Sequence, residues 1–235
     1  MSRRLFMRGL GLALLCLVAA CAPRKAATPG SAVTPAPAAP ADAIEYRLVA
    51  GESEIRILAY RDGPLASLGH NHVISTTAIS GIVALASPVG RSVVELSFPV
   101  DSLRVDIPAQ REEEGEDFPG ALDQSAVDGT RTNMLGERVL NATVFPEVRL
   151  RSREIRDELP ELTLLFDVTV RDQTVQIDMP ATVTKSGTRL VATGESRVQQ
   201  TVLGLEPFSV GLGALFVRDE LVVKYRLVAE AAAGD

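Results

Sequence analysis

Residues 161–184 read ELTLLFDVTV-RDQ-TVQIDMPATVT and carry the most regular pattern in the chain. Apolar side chains occupy alternate positions from Leu162 to Val170, and again from Val175 to Val183. Successive side chains of a β-strand point to opposite faces, so each run presents one apolar and one polar face. With a turn at Asp172-Gln173 between them, the two runs predict a long antiparallel hairpin that buries one face.

The same alternation of apolar and polar residues continues through most of the chain from Ile44 onward. It is clear at 44–48, 54–59, 94–100 and 221–227, and Ser186-Gly187 turns the hairpin into a further strand at 188–202. An antiparallel sheet of about eight such strands buries its single apolar face best by curling into a barrel, which also removes exposed edges. We therefore predict an all-β antiparallel barrel, with a two-sheet sandwich as the alternative.

Two segments interrupt the strand pattern. Residues 106–128 combine acidic residues with Gly and Pro and show no periodicity, which predicts a long acidic loop. This loop is either a solvated acidic insertion, or a mobile lid or cation-collecting arm. Residues 130–140 have helical spacing and are followed by Phe145-Pro146, so we predict one short helix there, capped by Asp128 or Thr130.

The N-terminus has the pattern of a secretory signal. Three arginines precede an apolar run over residues 10–20 that is too short to span a membrane, which predicts a signal peptide over residues 1–20. The string Leu-Val-Ala-Ala-Cys, ending at Cys21, resembles the lipobox of bacterial lipoproteins, whose cysteine carries acyl chains such as palmitate. Ala22 favours sorting to the outer membrane by the same resemblance. The alternative is an ordinary signal peptide with a chance cysteine.

The remaining composition fits a lipid-anchored domain outside the cytoplasm. Residues 21–43 are rich in Ala and Pro and predict a semi-extended tether, which leaves 44–235 as the folded domain. Cys16 belongs to the signal and Cys21 to the anchor, so we expect no disulfide in the domain. The net charge of −6 becomes more negative once the signal is removed, and nothing in it suggests nucleic-acid binding.

Both histidines lie in one stretch, Leu68-Gly-His-Asn-His-Val-Ile74. If this stretch enters a strand, His70 and His72 share one side of the backbone and Asn71 faces the other. The imidazoles could bond to neighbouring backbone, contact a ligand at a cavity mouth, or form half of a metal site, for which the spacing supplies no third ligand. No nucleophile elbow, phosphate loop or His-Glu helix motif is present, so we predict no enzymatic activity.

Three regions of the domain carry a resemblance to a known family, namely Gly69–His72 with Ser80–Val83, Arg131–Asn141 with Phe145–Val148, and Leu203–Phe208 with Val217–Leu221. Through them the domain from about residue 44 to residue 229 resembles the YceI-like family. The resemblance implies a lipocalin-like barrel in the periplasm that binds polyisoprenoids. His72, Thr132 after the first helical arginine, and the acidic insertion depart from the family pattern.

The resemblance implies a lipid-binding function without catalysis and without a further cofactor. An isoprenoid or other long-chain amphiphile would occupy the aliphatic interior of an outer-membrane lipoprotein that faces the periplasm, and we also consider a homodimer. The ligand-binding residues that we predict are His70, Asn71, His72, Arg131, Asn133, Met134, Phe166 and Phe208. The alternatives are a filled barrel acting as an envelope-stress or adaptor module, and metal binding through His70 and His72.

Overall fold

The computed structural model describes residues 37–231, most of which form β-strands. The strands are β1 (Ile44–Leu48), β2 (Glu54–Asp62), β3 (His72–Thr76), β4 (Ser80–Leu85), β5 (Val93–Pro99), β6 (Arg104–Val105), β7 (Glu147–Glu158), β8 (Glu161–Val170), β9 (Gln173–Ser186), β10 (Arg189–Gln199), β11 (Ser209–Val210) and β12 (Leu215–Ala231). Two α-helices, α1 (Pro108–Glu113) and α2 (Gln124–Leu135), lie between β6 and β7. Neither helix is long and apolar enough to cross a membrane.

Eight antiparallel strands close into a barrel. They follow the order β1-β4-β5-β7-β8-β9-β10-β12, and β12 pairs back with β1 to complete the ring. Three further strands extend the ring towards one end. Strand β2 pairs with the part of β12 that lies before its pairing with β1, β3 pairs with β2, and β6 pairs with β3. They therefore continue the paths of β1, β4 and β5. The predicted barrel is therefore confirmed, and the two-sheet alternative is wrong.

The hairpin that the sequence predicts at 161–184 is formed by β8 and β9. Leu164 pairs with Met179, and Phe166 pairs with Ile177, which places both apolar faces on the same side of the sheet. The inward-facing apolar side chains of β8 are all buried, whereas their partners on β9 are mostly half-buried. The inward face of β9 therefore borders space that other side chains do not fill.

The two ends of the barrel differ in their connections. One end carries α1, α2 and the connections β2–β3, β8–β9 and β10–β12, and we name it the helix end. The other end carries the turns β4–β5, β7–β8 and β9–β10 and the start of β1 at Ile44, and we name it the turn end. Long connections and both helices are thus gathered at one opening.

The main helix lies six residues earlier than the sequence pattern predicts. It begins at Gln124 after Asp123, which replaces Asp128 and Thr130 as the residue at the N-terminal cap, and it ends before Gly136. Its first turns are polar, so apolar spacing does not reveal them. A hydrogen bond of 2.8 Å from Gln124 to Asp128, four residues apart, supports this part of the helix instead.

The acidic segment packs against the outer wall of the barrel. Phe118 is fully buried among outward-facing Leu58, Val73 and Val222, and its ring centroid lies 5.4 Å from that of Tyr60. The acidic side chains at 112, 113 and 116 remain exposed. We name residues 106–123 the strap, because this segment crosses the outside of β2, β3 and β12 rather than covering the cavity as a lid.

Glu114 fastens the strap at a second point. Its carboxylate lies 2.9 Å from Arg56 on β2 and 2.5 Å from Lys224 on β12, and its side chain is almost fully buried. Burial raises the pKa of Glu114, but the hydrogen bonds from Lys224 and Arg56 outweigh that effect, so the pKa lies below its ordinary value. The strap thus carries paired charges where it meets the wall.

We expect Gly194→Ala to lower the free energy of unfolding by about 1–3 kcal/mol, because an added methyl group would overpack the wall. A Cβ at this position on β10 would collide with the carbonyl oxygen of Pro180 and the hydroxyl of Tyr225, which donates a hydrogen bond to that oxygen. Urea denaturation measures the change.

The matched control is Gly129→Ala, which lies in α2 with open space around it. We expect it to stabilise the protein by about 0.5–1 kcal/mol through helix propensity. Equal effects of the two substitutions would contradict the packing that we describe around Gly194.

Candidate functional site

The interior of the barrel contains a cavity of about 410 Å³. It extends from Val89 and Leu159 at the turn end to His70 and Phe208 at the helix end. Leu, Ile and Val supply most of its wall, and a few Phe, Met and Tyr side chains complete it. Cavities of roughly 300–1,000 Å³ are typical of sites for single small molecules.

The cavity exists because the inward side chains are too small to fill the ring. An eight-stranded barrel is just wide enough for its interior to be filled by side chains or to hold one small ligand. Here alanines face inward on several strands, and the chain contains no Trp. The inward-facing alanines are Ala59, Ala181, Ala192 and Ala229.

Polar groups concentrate at one end of this apolar cavity. At the turn end the polar side chain in the lining is Ser92, whereas a group of polar side chains surrounds the helix end. This group, which we name the polar ring, consists of Arg61, His70, His72, Thr130, Asn133 and Gln200. The cavity is therefore apolar along its length and polar at the end where the helices lie.

Six of the eight predicted ligand-binding residues line the cavity. They are His70, His72, Asn133, Met134, Phe166 and Phe208. The alternation of the histidine stretch predicts that His70 and His72 share one side of the backbone. In the structure both imidazoles border the cavity, and their ring centroids are 6.4 Å apart.

The structure places Asn71 and Arg131 outside the cavity lining. The Asn71 side chain accepts a hydrogen bond of 3.0 Å from the backbone N–H of Arg61 and donates one of 2.8 Å to the carbonyl of Asp117. It thereby joins the β2–β3 connection to the strap. The exposed Arg131 donates a hydrogen bond of 2.7 Å to the carbonyl of Asp101 and so fastens α2 to the loop after β5.

The imidazole of His72 is oriented by Asp106, which lies behind it in the wall. Its Nδ1 is 2.7 Å from one carboxylate oxygen of Asp106, whose side chain is fully buried. The other oxygen accepts hydrogen bonds from the Val73 N–H, at 2.9 Å, and from Arg111, at 2.6 Å. Because a carboxylate accepts, Nδ1 carries the proton, and Nε2 of His72 remains for a partner in the cavity.

Arg111 is a fully buried cation whose guanidinium donates hydrogen bonds to four surrounding residues. Besides Asp106, its guanidinium donates to the carbonyl oxygens of Asn71, Pro119 and Gly120, at 2.8, 3.4 and 2.9 Å. It also lies 5.9 Å from the ring centroid of Phe118. The strap therefore supplies the positive charge that allows the Asp106 carboxylate to be buried behind a cavity-lining histidine.

Sequence reasoning missed Asp106 and Arg111. Both residues lie in the segment without periodicity, and their hydrogen-bond partners are either distant in sequence or backbone groups of loops. The one signal in the sequence is a single arginine among acidic residues, which does not indicate burial. Only the fold brings 72, 106 and 111 together.

The pKa of Asp106 lies below its ordinary value of 3.8. Burial raises this pKa, but the hydrogen bonds from His72 and the Val73 N–H, together with Arg111, outweigh the burial. A carboxyl group whose pKa is depressed by folding stabilises the folded state above its unfolded pKa. That stabilisation disappears as the pH falls from near 3.8 through the lower folded value.

We expect Asp106→Asn to lower the free energy of unfolding at neutral pH by about 3–5 kcal/mol, because it leaves a buried arginine without its counter-charge. The loss of stability below a pH of about 4 should also be shallower than in the original protein. Urea denaturation at neutral and acidic pH measures both effects.

Glu112→Gln, which removes an exposed carboxylate from the same strap, serves as the control. We expect its free energy of unfolding to stay within about 0.5 kcal/mol of the original protein. If Asp106→Asn proved as stable as this control, the buried pair would not support the wall in the way we describe.

The barrel domain matches a known protein family. The model of the YceI-like domain matches residues 46–229, which is most of the chain. The chain belongs to the YceI-like family. YceI-like barrels are generally binding proteins rather than enzymes. None of the curated proteins is similar to the chain in sequence.

Solved structures share the fold at low sequence identity. The crystal structure of BcnA from Burkholderia cenocepacia is 12% identical, with a TM-score of 0.56, and the match covers 77% of this chain and 98% of BcnA. A mutant of the YceI protein of Campylobacter jejuni is 6% identical, with a TM-score of 0.50, and the match covers 68% of this chain and 85% of that protein. At these identities the likeness establishes the fold alone.

Proposed function

We propose that this YceI-like protein binds one long-chain amphiphile, such as an isoprenoid lipid or a fatty chain, without acting on it chemically. The observation that carries this proposal is the arrangement of the cavity, with apolar walls along its length and the polar ring at the helix end. An apolar chain would lie along the barrel, and its polar head would lie beside the ring. Membership of the YceI-like family supports the same class of ligand.

Apolar burial would supply most of the affinity. Each methylene group moved from water into the cavity contributes about 0.8 kcal/mol, so a long chain outweighs the cost of ordering it. His70, His72 and Asn133 offer hydrogen-bonding groups to the head. The fixed orientation of His72 favours a head that can bond to its Nε2 without rearranging the wall.

The role that we propose is to hold a lipid, or to transfer it, in the cell envelope. Cys21 would carry the lipid anchor in the outer membrane, and residues 21–43 would connect the anchor to a barrel that faces the periplasm. The signal peptide, Cys21 and most of this tether lie outside the described residues, so their support is the sequence pattern.

The observed interior favours the carrier over the two alternatives. A filled barrel acting through its surface would need side chains that occupy the space of about 410 Å³. A zinc site would need ligands beyond His70 and His72, and Nδ1 of His72 already bonds to Asp106. Within residues 37–231, no three His, Cys, Asp or Glu side chains form a group that could hold a metal ion.

We expect Ala192→Trp to weaken the uptake of a long-chain fluorescent fatty acid and of a polyprenol at least tenfold, because an indole would fill part of the cavity. Ala192 faces inward on β10 and lines the cavity. Fluorescence titration measures the fatty acid, and native mass spectrometry measures the polyprenol.

Val191→Trp is the matched control, since Val191 immediately precedes Ala192 on β10 and is absent from the cavity lining. It should bind both ligands like the original protein. Unchanged uptake by Ala192→Trp, with both variants folded, would show that ligands do not enter the barrel.

Cys21→Ser should move the protein from the outer-membrane fraction of the cell to the soluble periplasmic fraction, because it removes the site of acylation. Cys16→Ser, which changes the other cysteine of the chain, should leave the protein in the membrane fraction. Immunoblotting of separated fractions measures both. Retention of Cys21→Ser in the outer membrane would contradict the proposed anchor.

A further inference from the structure

Two loops at the helix end contain no charged residue, although 23% of the chain is charged. Residues 63–70 read GPLASLGH and connect β2 to β3, and residues 207–217 read PFSVGLGALFV and include the β11–β12 turn. At the turn end, by contrast, Arg91, Glu158 and Arg189 place a charge in or beside each turn. The absence of charge therefore distinguishes these two loops from the turns at the opposite end, whereas the neighbouring β8–β9 connection at the helix end carries Arg171 and Asp172.

The two uncharged loops lie side by side. The backbone N–H of Leu65 donates a hydrogen bond of 2.8 Å to the carbonyl of Ala214. Gly69 lies so close to Leu215 that a Cβ added to the glycine would be 3.0 Å from the leucine Cδ1. The loops thus form one continuous surface rather than two separate protrusions.

This surface exposes large apolar side chains to water. Leu212, at the tip of the β11–β12 turn, is fully exposed, and Leu68 is 72% exposed. Leu65 and Val210 are each nearly half exposed. We name these four residues the apolar rim, since grouped apolar side chains of this kind mark sites of interaction.

The apolar rim borders the opening of the cavity. The same two loops contribute Gly69, His70, Phe208 and Leu215 to the cavity lining. Any surface that covers the rim therefore lies next to the polar ring and to the end of the apolar interior. A ligand could pass between that surface and the cavity over a short distance.

We propose that the apolar rim docks the barrel on a lipid bilayer, with Leu68 and Leu212 inserted among the lipids. Charge determines this choice of partner, because a charged side chain resists entry into the apolar part of a membrane and the loops contain none. Charged residues stand directly at the borders of the loops, at Asp62 and Arg218. They would remain at the level of the head groups and limit the depth of insertion.

The length of chain before the barrel allows this orientation. Ile44 starts β1 at the turn end, and the residues just before it are held at the barrel, because Arg91 pairs with Asp42 and Arg151 on β7 donates a hydrogen bond of 3.2 Å to the carbonyl of Pro37. The 15 residues from Ala22 to Ala36 can span about 50 Å when extended. Glu147, where β7 starts at the helix end, is four residues from Arg151, a distance of about 13 Å along the strand. The anchor proposed at Cys21 therefore leaves the rim within reach.

The test uses residues 37–235, which retain every strand of the closed barrel and lack the proposed anchor. Flotation with vesicles of phosphatidylcholine and phosphatidylethanolamine measures docking. We expect the original sequence to float with the vesicles, and raising the salt from about 0.1 M to about 0.5 M should not release it, since the rim is uncharged.

The double variant Leu68→Asp, Leu212→Asp should bind the vesicles at least tenfold more weakly. Aspartate tolerates the positive φ of position 212 better than most residues, so the turn should be preserved. The matched control is Ile44→Asp, which changes a residue that is 52% exposed at the turn end. This control should float like the original sequence.

Docking on a membrane would serve the proposed carrier function and rests on it for its purpose. Uptake of a fatty acid in vesicle-free solution measures the carrier function independently of docking. The double variant should retain that uptake, because Leu68 and Leu212 do not line the cavity. Failure of the original sequence to float, or equal flotation of the double variant, would overturn the docking proposal. The docking proposal would also be overturned if the original sequence formed a dimer and bound no vesicles, and the double variant were monomeric. The rim would then contact a second copy of the chain rather than a membrane.

Discussion

The pairing of β12 is the constraint on which the rest of the molecule depends. This strand bonds to β10 along one side and to β2 and β1 along the other, and so converts a long sheet into a ring. Closure leaves one enclosed space for every inward side chain, and eight strands fix its width. Because these side chains are mostly aliphatic and several are alanine, closure leaves a cavity rather than a filled core.

Closure also explains why the polar chemistry lies at the helix end. The turns at the other end are short, whereas the connection from β5 to β7 is long enough to contain β6, both helices and the strap. The strap returns along the outer wall and brings Arg111 to Asp106. A buried carboxylate behind the wall is costly unless it is paired, and this pairing lets Asp106 hold His72 at the cavity.

The alternation of apolar residues predicts one-sided antiparallel strands, and a closed barrel is favoured over a two-sheet sandwich because it removes exposed edges. As a hairpin, residues 162–183 bury one apolar face, and the same rule places His70 and His72 on one side. Hollowness could not be predicted, because it depends on summed volumes across strands that are distant in sequence. The two predicted residues that lie outside the cavity, Asn71 and Arg131, took orientations set by backbone contacts in loops.

The strap and the start of α2 escaped prediction for a related reason. Apolar spacing reports only which face of an element is buried, and the first turns of α2 bury little. In the strap, single residues make the contacts, since Phe118 fills a patch on the outer wall, Arg111 neutralises Asp106, and Glu114 pairs with Arg56 and Lys224. None of these contacts repeats along the chain, so no periodicity reveals them.

Native mass spectrometry of the protein, purified gently from a bacterial envelope, tests the central claim most directly. The structure predicts one bound long-chain lipid per barrel, released as a single polyprenyl or acyl species on extraction, because the cavity of about 410 Å³ is one continuous space with one polar end. A protein that is isolated empty and also takes up neither added quinone nor polyprenol would contradict the account.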